Sequence, residues 1–121
     1  MRMLYRQELT PFIEEFAAHH RGVRLGRMFG RPAVYVGRRL CACLMDAGVI
    51  IRLPDDLARR ELHGGAKPFS KRGKATGSWV LYTPKTAAAA RRLTPILEIA
   101  ARHVARRQAE ELTGVKFTGG E

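Results

Sequence analysis

Several things are scarce in this chain, and each scarcity narrows what it can be. No apolar run approaches the roughly eighteen residues of a membrane-spanning helix, so no membrane partner is expected. Cysteine occurs only at Cys41 and Cys43, too few and too close together for a disulfide framework. Serine occurs only at Ser70 and Ser78, and neither sits in a nucleophile-elbow pattern. Acids are half as numerous as bases: 11 Asp and Glu stand against 22 Lys and Arg, a net charge of +11. The stretch from Met1 to Glu8 lacks the long apolar core of a signal peptide, so a cytoplasmic protein is expected.

What is present is enough for a fold. In 121 residues, 45% of them hydrophobic, one globular domain can bury an ordinary core without metal or disulfide staples. The organising stretch is Leu25 to Arg52, where β-branched and aromatic residues alternate with Gly and Pro. Val34-Tyr35-Val36, Gly37-Arg38-Arg39 and Leu40 to Met45 read as a β-hairpin. Asp46-Ala47-Gly48 then returns the chain into Val49-Ile50-Ile51-Arg52. Strands this closely spaced pair antiparallel, because a parallel partner needs a long crossover. On the strand from Leu40 to Met45, Leu40, Ala42 and Leu44 share one face and Cys41, Cys43 and Met45 the other. Both faces are apolar, which predicts a central strand covered on each side.

Helices flank this meander. Thr10-Pro11 predicts a helix start, with Thr10 as cap and Pro11 at the first helical position. Phe12, Ile13, Phe16 and Ala17 form its apolar face, and it ends near His19 or His20. Val23 to Met28 reads as a first strand, and Gly30-Arg31-Pro32 bends the chain. Leu53-Pro54-Asp55-Asp56 opens a second helix, with Pro54 at its first position and acids in its first turn, running to Leu62 before Gly64 and Gly65. Residues 67–74 read as a basic loop. Trp79 to Tyr82 is the last strand. Thr86 begins an Ala-rich helix lasting to about Glu111, with Leu93, Ile96, Leu97, Ala100 and Val104 on its buried side. Pro95 either marks the true start, near Leu93, or kinks the helix. From Leu112 a tail carrying Val115 and Phe117 follows, docking on the surface or on a neighbouring subunit.

The order and spacing of several short elements carry a resemblance. Met28-Phe29-Gly30, Ala33-Val34-Tyr35-Val36, Leu40-Cys41-Ala42-Cys43-Leu44, Gly65-Ala66-Lys67-Pro68-Phe69 and Gly77-Ser78-Trp79-Val80, with the final helix, make residues 11–104 similar to the N-terminal domain of the TfoX/Sxy family. The resemblance implies one TfoX N-terminal-like domain over residues 1–121, with 112–121 as an extended tail. It implies a fold akin to secretion chaperones, which bind other proteins and often pair. It also implies a regulatory role in transcription or bacterial competence. Full-length members can carry a further C-terminal helical domain; this chain is expected to be a stand-alone module. The expected architecture is two-layer α+β: an antiparallel meander sheet of about five strands, with an N-terminal helix, a middle helix and a long C-terminal helix.

Candidate chemistry is sparse. Cys41 and Cys43 read as small apolar filler on a buried strand. His19, His20 and His63 close helices, where the dipole favours them, and His103 reads as exposed among arginines; no metal or cofactor is expected. The acids fall mainly at helix starts, where capping explains them, and an enzyme is not expected. The basic groups are the sharpest feature. Arg59, Arg60, Lys67, Lys71, Arg72 and Lys74 form one cluster, and Arg102, Arg106 and Arg107 a second, with Arg102 and Arg106 on one helix face. These are the candidate contacts for a partner or for nucleic acid, with Phe69 beside them. Met28, Phe29, Gly30, Tyr35, Gly65, Pro68, Phe69 and Trp79 read as structural family-motif residues, Phe29 plugging the core while Gly30 permits the turn. Two main readings remain: a non-catalytic interaction module acting through protein contacts, transcription machinery or a second copy among them, and direct binding of nucleic acid by the basic loop and final helix; a small-ligand groove between sheet and helix is a third, weaker one.

Overall fold

The computed structural model describes residues 5–71 and 74–114, and side chains outside 70–77. The chain forms helix α1 (Thr10–His19), strands β1 (Val23–Met28), β2 (Arg31–Val36), β3 (Arg39–Leu44) and β4 (Val49–Arg52), helix α2 (Asp55–His63), strands β5 (Lys67–Lys71) and β6 (Lys74–Tyr82), a short turn α3 (Ala87–Ala90) and helix α4 (Thr94–Thr113). The α+β class is as expected. The sheet has six antiparallel strands in the order β1-β2-β3-β4-β6-β5, not about five. The additional strand comes from the basic segment expected as a loop. Lys67 opposes Leu81 and Lys71 opposes Lys74, so β5 pairs antiparallel with β6.

Two-residue turns join the first three strands. Phe29 and Gly30 both have positive φ, 50° and 79°, as a tight hairpin of this length requires. Between β3 and β4 the Met45 N–H donates to the Gly48 carbonyl at 2.7 Å. Only glycine fits at position 48, because a Cβ there would lie 2.0 Å from the Tyr82 carbonyl oxygen.

A β-bulge corrects the expected faces of β3. Val34 opposes Ala42 but Tyr35 opposes Leu40, leaving Cys41 without a partner of its own. An extra residue reverses the alternation on one side of it. Cys41 therefore joins Ala42 and Leu44 in the helix-side core, while Cys43 packs on the opposite face, where Leu40 and Met45 lie against it.

All helical core residues lie on one side of the sheet. Phe12, Ile13 and Phe16 of α1, Ala58 of α2, Ala90 of α3 and Leu97, Ala100 and Val104 of α4 pack with Val34, Val36, Leu44, Val49, Ile51 and Val80. Truncating one of the buried leucines, such as Leu97, should cost about 2–5 kcal/mol. Among the described residues the second cluster draws only on strands and on Met45 of the β3–β4 turn, with no helical residue in it.

The helix termini also differ in detail. Thr10 lies inside α1 and makes no capping bond, because a 3-10 turn over Gln7–Leu9 already delivers the chain in helical geometry. Pro54 caps α2 from an extended conformation rather than occupying its first turn, and Gly65, not Gly64, takes the positive φ that ends it. Thr86 accepts the Ala89 N–H at 3.0 Å and starts α3. A 3-10 turn over Arg91–Leu93 then separates α3 from α4, with Pro95 in the first turn of α4. This separate start is the first of the two readings of Pro95. Leu112 and Thr113 are helical, and Gly114 at φ 73° closes α4, so the tail does not begin at Leu112. Val115 and Phe117 lie outside the described residues.

Candidate functional site

The helix-free face of the sheet draws residues from all six strands and from Met45 in the β3–β4 turn. Ala33, Cys43 and Ile50 form its buried centre, and Met28, Tyr35, Leu40, Met45, Phe69, Trp79 and Leu81 pack around them half-buried. Four of the family-motif residues, Met28, Tyr35, Phe69 and Trp79, thus gather on one surface. Phe29 does not plug the core. It is 83% exposed at the tip of the β1–β2 hairpin, since the tight turn points it away from both layers. Tyr35 lies over Gly26, the Arg24 guanidinium sits 4.7 Å from its ring centre, and its hydroxyl donates to the Arg27 carbonyl at 3.2 Å.

On the helix-free face Arg24, Arg31 and Lys67 share the side of the apolar residues, whereas Arg27 and Arg39 lie on the opposite side with Val23 and Val36. Among the described residues no Asp or Glu lies in any strand; the strands carry Arg24, Arg27, Arg31, Arg39, Arg52, Lys67, Lys71 and Lys74. The described carboxylates sit on the helices, in the 3-10 turn before α1 and in the β3–β4 turn. An apolar, aromatic centre with Arg24, Arg31 and Lys67 beside it is the result.

At one end of this face α4 crosses the sheet and a cavity of about 530 Å³ opens. Its walls are Arg38, Arg39 and Leu40 at the β2–β3 hairpin, Arg52 of β4, Trp79 of β6, and Gln108, Glu111 and Leu112 of α4. Two polar contacts fix the hairpin to the helix. The Arg38 N–H donates to Gln108 Oε1 at 2.9 Å, and Arg39 pairs with Glu111. Arg52 has no such partner for its Nε, which is buried without a hydrogen bond. Burial together with the neighbouring Arg107 and Arg39 lowers the Arg52 pKa, only partly offset by Glu111 and Asp55. His103 is half-buried rather than exposed, and burial, Arg107, Arg52 and Arg106 hold its pKa below the ordinary histidine value.

The predicted basic clusters are redistributed. Arg107 of α4 joins Arg39 and Arg52, whereas Arg102 lines a separate cleft with His20, Val23 and Glu98. Arg106 is exposed and near His103. Arg59 and Arg60 are exposed on α2, and Arg59 donates to Asp56 at 2.6 Å, a solvated pair that contributes little. Lys67 is exposed across from Leu81. Gly65 is exposed between α2 and β5, and Pro68 is exposed within β5, opposite Val80. The side chains of Lys71 and Lys74, and the whole of Arg72, lie outside the described residues. Sequence reasoning missed Arg38, Arg39, Arg52 and Gln108. A signal existed for Arg52: it follows Ile50 by two positions, so the strand period places a charge on the same face as an apolar residue.

The remaining candidates are structural in their surroundings. Burial pushes the Cys41 thiol up to about 12 and the Cys43 thiol to about 11, so neither forms a thiolate near neutral pH. The Tyr82 hydroxyl donates to Glu61 at 2.7 Å, tying β6 to α2. His20 stacks on Phe16 and contacts Glu98 at 2.9 Å. Among the described residues no three His, Cys, Asp or Glu side chains converge as a metal-binding group, and no helix is long and apolar enough to cross a membrane. Compared with protein-family models, curated proteins and solved structures, the chain gives no match.

Proposed function

We propose that this protein is a non-catalytic interaction module that acts in transcription or competence regulation, as its resemblance to the TfoX N-terminal domain implies, by docking a protein on the helix-free face of its sheet. One observation carries this reading: every described helix packs its core residues on the same side, and on the other side half-buried apolar residues surround a buried centre. Partly exposed apolar surface of this kind marks contact sites. The secretion-chaperone-like fold expected from the same resemblance fits such use. The partner is a protein whose contact surface is apolar at the centre and acidic at the rim, because Arg24 and Lys67 are exposed cations on this face, in strands that hold no carboxylate. Self-pairing through this face would set like charges against each other.

Affinity capture from cells that make the protein tests this, with wild type and a Met45→Glu/Leu81→Glu variant as baits. Circular dichroism first establishes that the variant is folded. The expected result is an acidic partner held by wild type and lost by the variant, with binding reproduced from purified components. An identical catch for both baits, or self-association as the sole interaction, overturns the reading.

A second reading, direct nucleic-acid binding, is favoured by the carboxylate-free strands and by Arg107 lying beside Arg39 and Arg52. It departs from the first on salt: affinity for generic duplex or single-stranded DNA should fall steeply between two ionic strengths. Absence of binding at low salt removes it.

A further inference from the structure

The cavity between the β2–β3 hairpin, the ends of β4 and β6 and the last turns of α4 is the most specific polar feature of the molecule. We infer that it binds a phosphate-bearing ligand with a flat ring, a nucleotide either free or at the end of a single strand, with the phosphate held by Arg52, Arg39 and Arg107 and the ring against Trp79 and Leu40. This goes beyond both functional readings above and requires neither.

The first argument is charge. Arg38, Arg39 and Arg52 line the cavity and Arg107 stands next to Arg52. The facing carboxylates are Glu111, which is engaged by Arg39, and Asp55, which lies toward His103 and Arg52. Cations drawn together without equal counter-charge repel, and an anion between them removes that cost. The second argument is an unmet donor. The Arg52 Nε–H is buried without an acceptor, although guanidinium groups ordinarily bond in a planar fork suited to phosphate. Buried polar groups are rarely left this way unless a ligand or water supplies the missing acceptor.

The third argument is shape and rigidity. About 530 Å³ lies within the range of small-molecule sites. The hairpin is fixed to α4 through Gln108 and Glu111, so the site is formed before any ligand arrives. Trp79 and Leu40 supply an apolar wall beside the cations, the combination that nucleotide and single-strand binders use for stacking next to phosphate contacts. Glu111 is the one carboxylate among the described wall residues, and its pairing with Arg39 orients that guanidinium while leaving Arg52 to the ligand.

Trp79 is the sole tryptophan, so its fluorescence reads the site directly. The full chain is titrated at low salt with inorganic phosphate, with adenosine monophosphate and with a single strand of about eight thymidines. The expected result is saturable change of Trp79 emission by the nucleotide, competed by phosphate, and weakened about tenfold or more by Arg52→Gln and by Arg107→Gln. Arg107 is exposed, so its variant tests the proposal even if Arg52→Gln does not fold. Equal affinity per site for monophosphate and oligonucleotide assigns the free nucleotide as ligand. A much tighter oligonucleotide assigns the strand end. No saturable response to any probe overturns the proposal, as does binding that neither substitution weakens, or phosphate bound as well as the nucleotide.

Discussion

Arg52 and Trp79 stand opposite each other across the β4–β6 ladder, where the last turns of α4 reach the edge of the helix-free face. One brings a guanidinium with an unbonded, buried Nε, and the other the only indole of the chain. The pair joins the two surfaces described above, since it closes the apolar face and lines the cavity. A charge kept there among other cations costs stability that an apolar side chain would not. Arg52→Met is therefore expected to leave unfolding free energy unchanged or raised by about 1 kcal/mol in urea titrations without ligand. A loss of stability beyond about 1 kcal/mol would mean that Arg52 is bonded structurally and not held for a ligand.

Phe29 provides a second test. Its φ of 50° is uncommon for an aromatic residue, and its ring is 83% exposed. Phe29→Gly removes the backbone penalty while giving up little buried area, so stability should rise by about 0.5–1 kcal/mol in urea titrations. Destabilisation by more than about 1 kcal/mol would restore the reading of Phe29 as a core plug.

His20 makes one edge of the fold sensitive to pH. Its Nε2 lies 2.9 Å from Glu98 Oε2 and its Nδ1 2.9 Å from the Phe16 carbonyl, and these contacts, Glu98 first, raise its pKa. Because the folded state holds this proton more tightly than the unfolded chain, the contribution is complete below about pH 6.5 and fades as pH rises through the folded pKa. His103 acts in the other direction: its pKa is lowered by burial and by Arg107, Arg52 and Arg106, so its contribution is lost as pH falls. Comparing wild type with Glu98→Gln isolates the first effect. The difference in melting temperature should be about 2 °C or more near pH 6 and shrink towards pH 8.5. A difference independent of pH would contradict the assignment.

The two cysteines should be inert in the native protein. Both are fully buried, on opposite faces of β3, with thiol pKa values pushed up to about 12 and about 11. Mass spectrometry after iodoacetamide at pH 8 should show neither alkylated without denaturant and both alkylated in it. Rapid native labelling of Cys43 alone would show that the helix-free face opens in solution.

Much of the architecture can be read from particular residues. Val34 to Val36, Leu40 to Leu44 and Val49 to Ile51 announce their strands by composition, and Pro95 announces a helix start. The bulge at Cys41 cannot be read this way, because it depends on pairing between Tyr35 and Leu40 across the hairpin, and one extra residue reverses two side chains. The strand over Lys67–Lys71 is hidden by Pro68 and three surrounding cations, which local preference reads as loop; pairing with β6 overrides it. The basic residues themselves are plain in the sequence, but which of them meet is not. Arg107 and Arg52 are brought together only by the way α4 crosses the sheet, and Arg102, five positions earlier, faces a different cleft.

Methyl and indole NMR of the protein with its captured partner tests the central claim most directly, because side-chain signals separate the two faces of a sheet. The account predicts shifts at Leu40, Met45, Ile50, Leu81 and the Trp79 indole, with Leu97, Val104 and the apolar residues of α1 unchanged. Shifts confined to the outer surfaces of α1, α2 and α4, with the helix-free face silent, would contradict it.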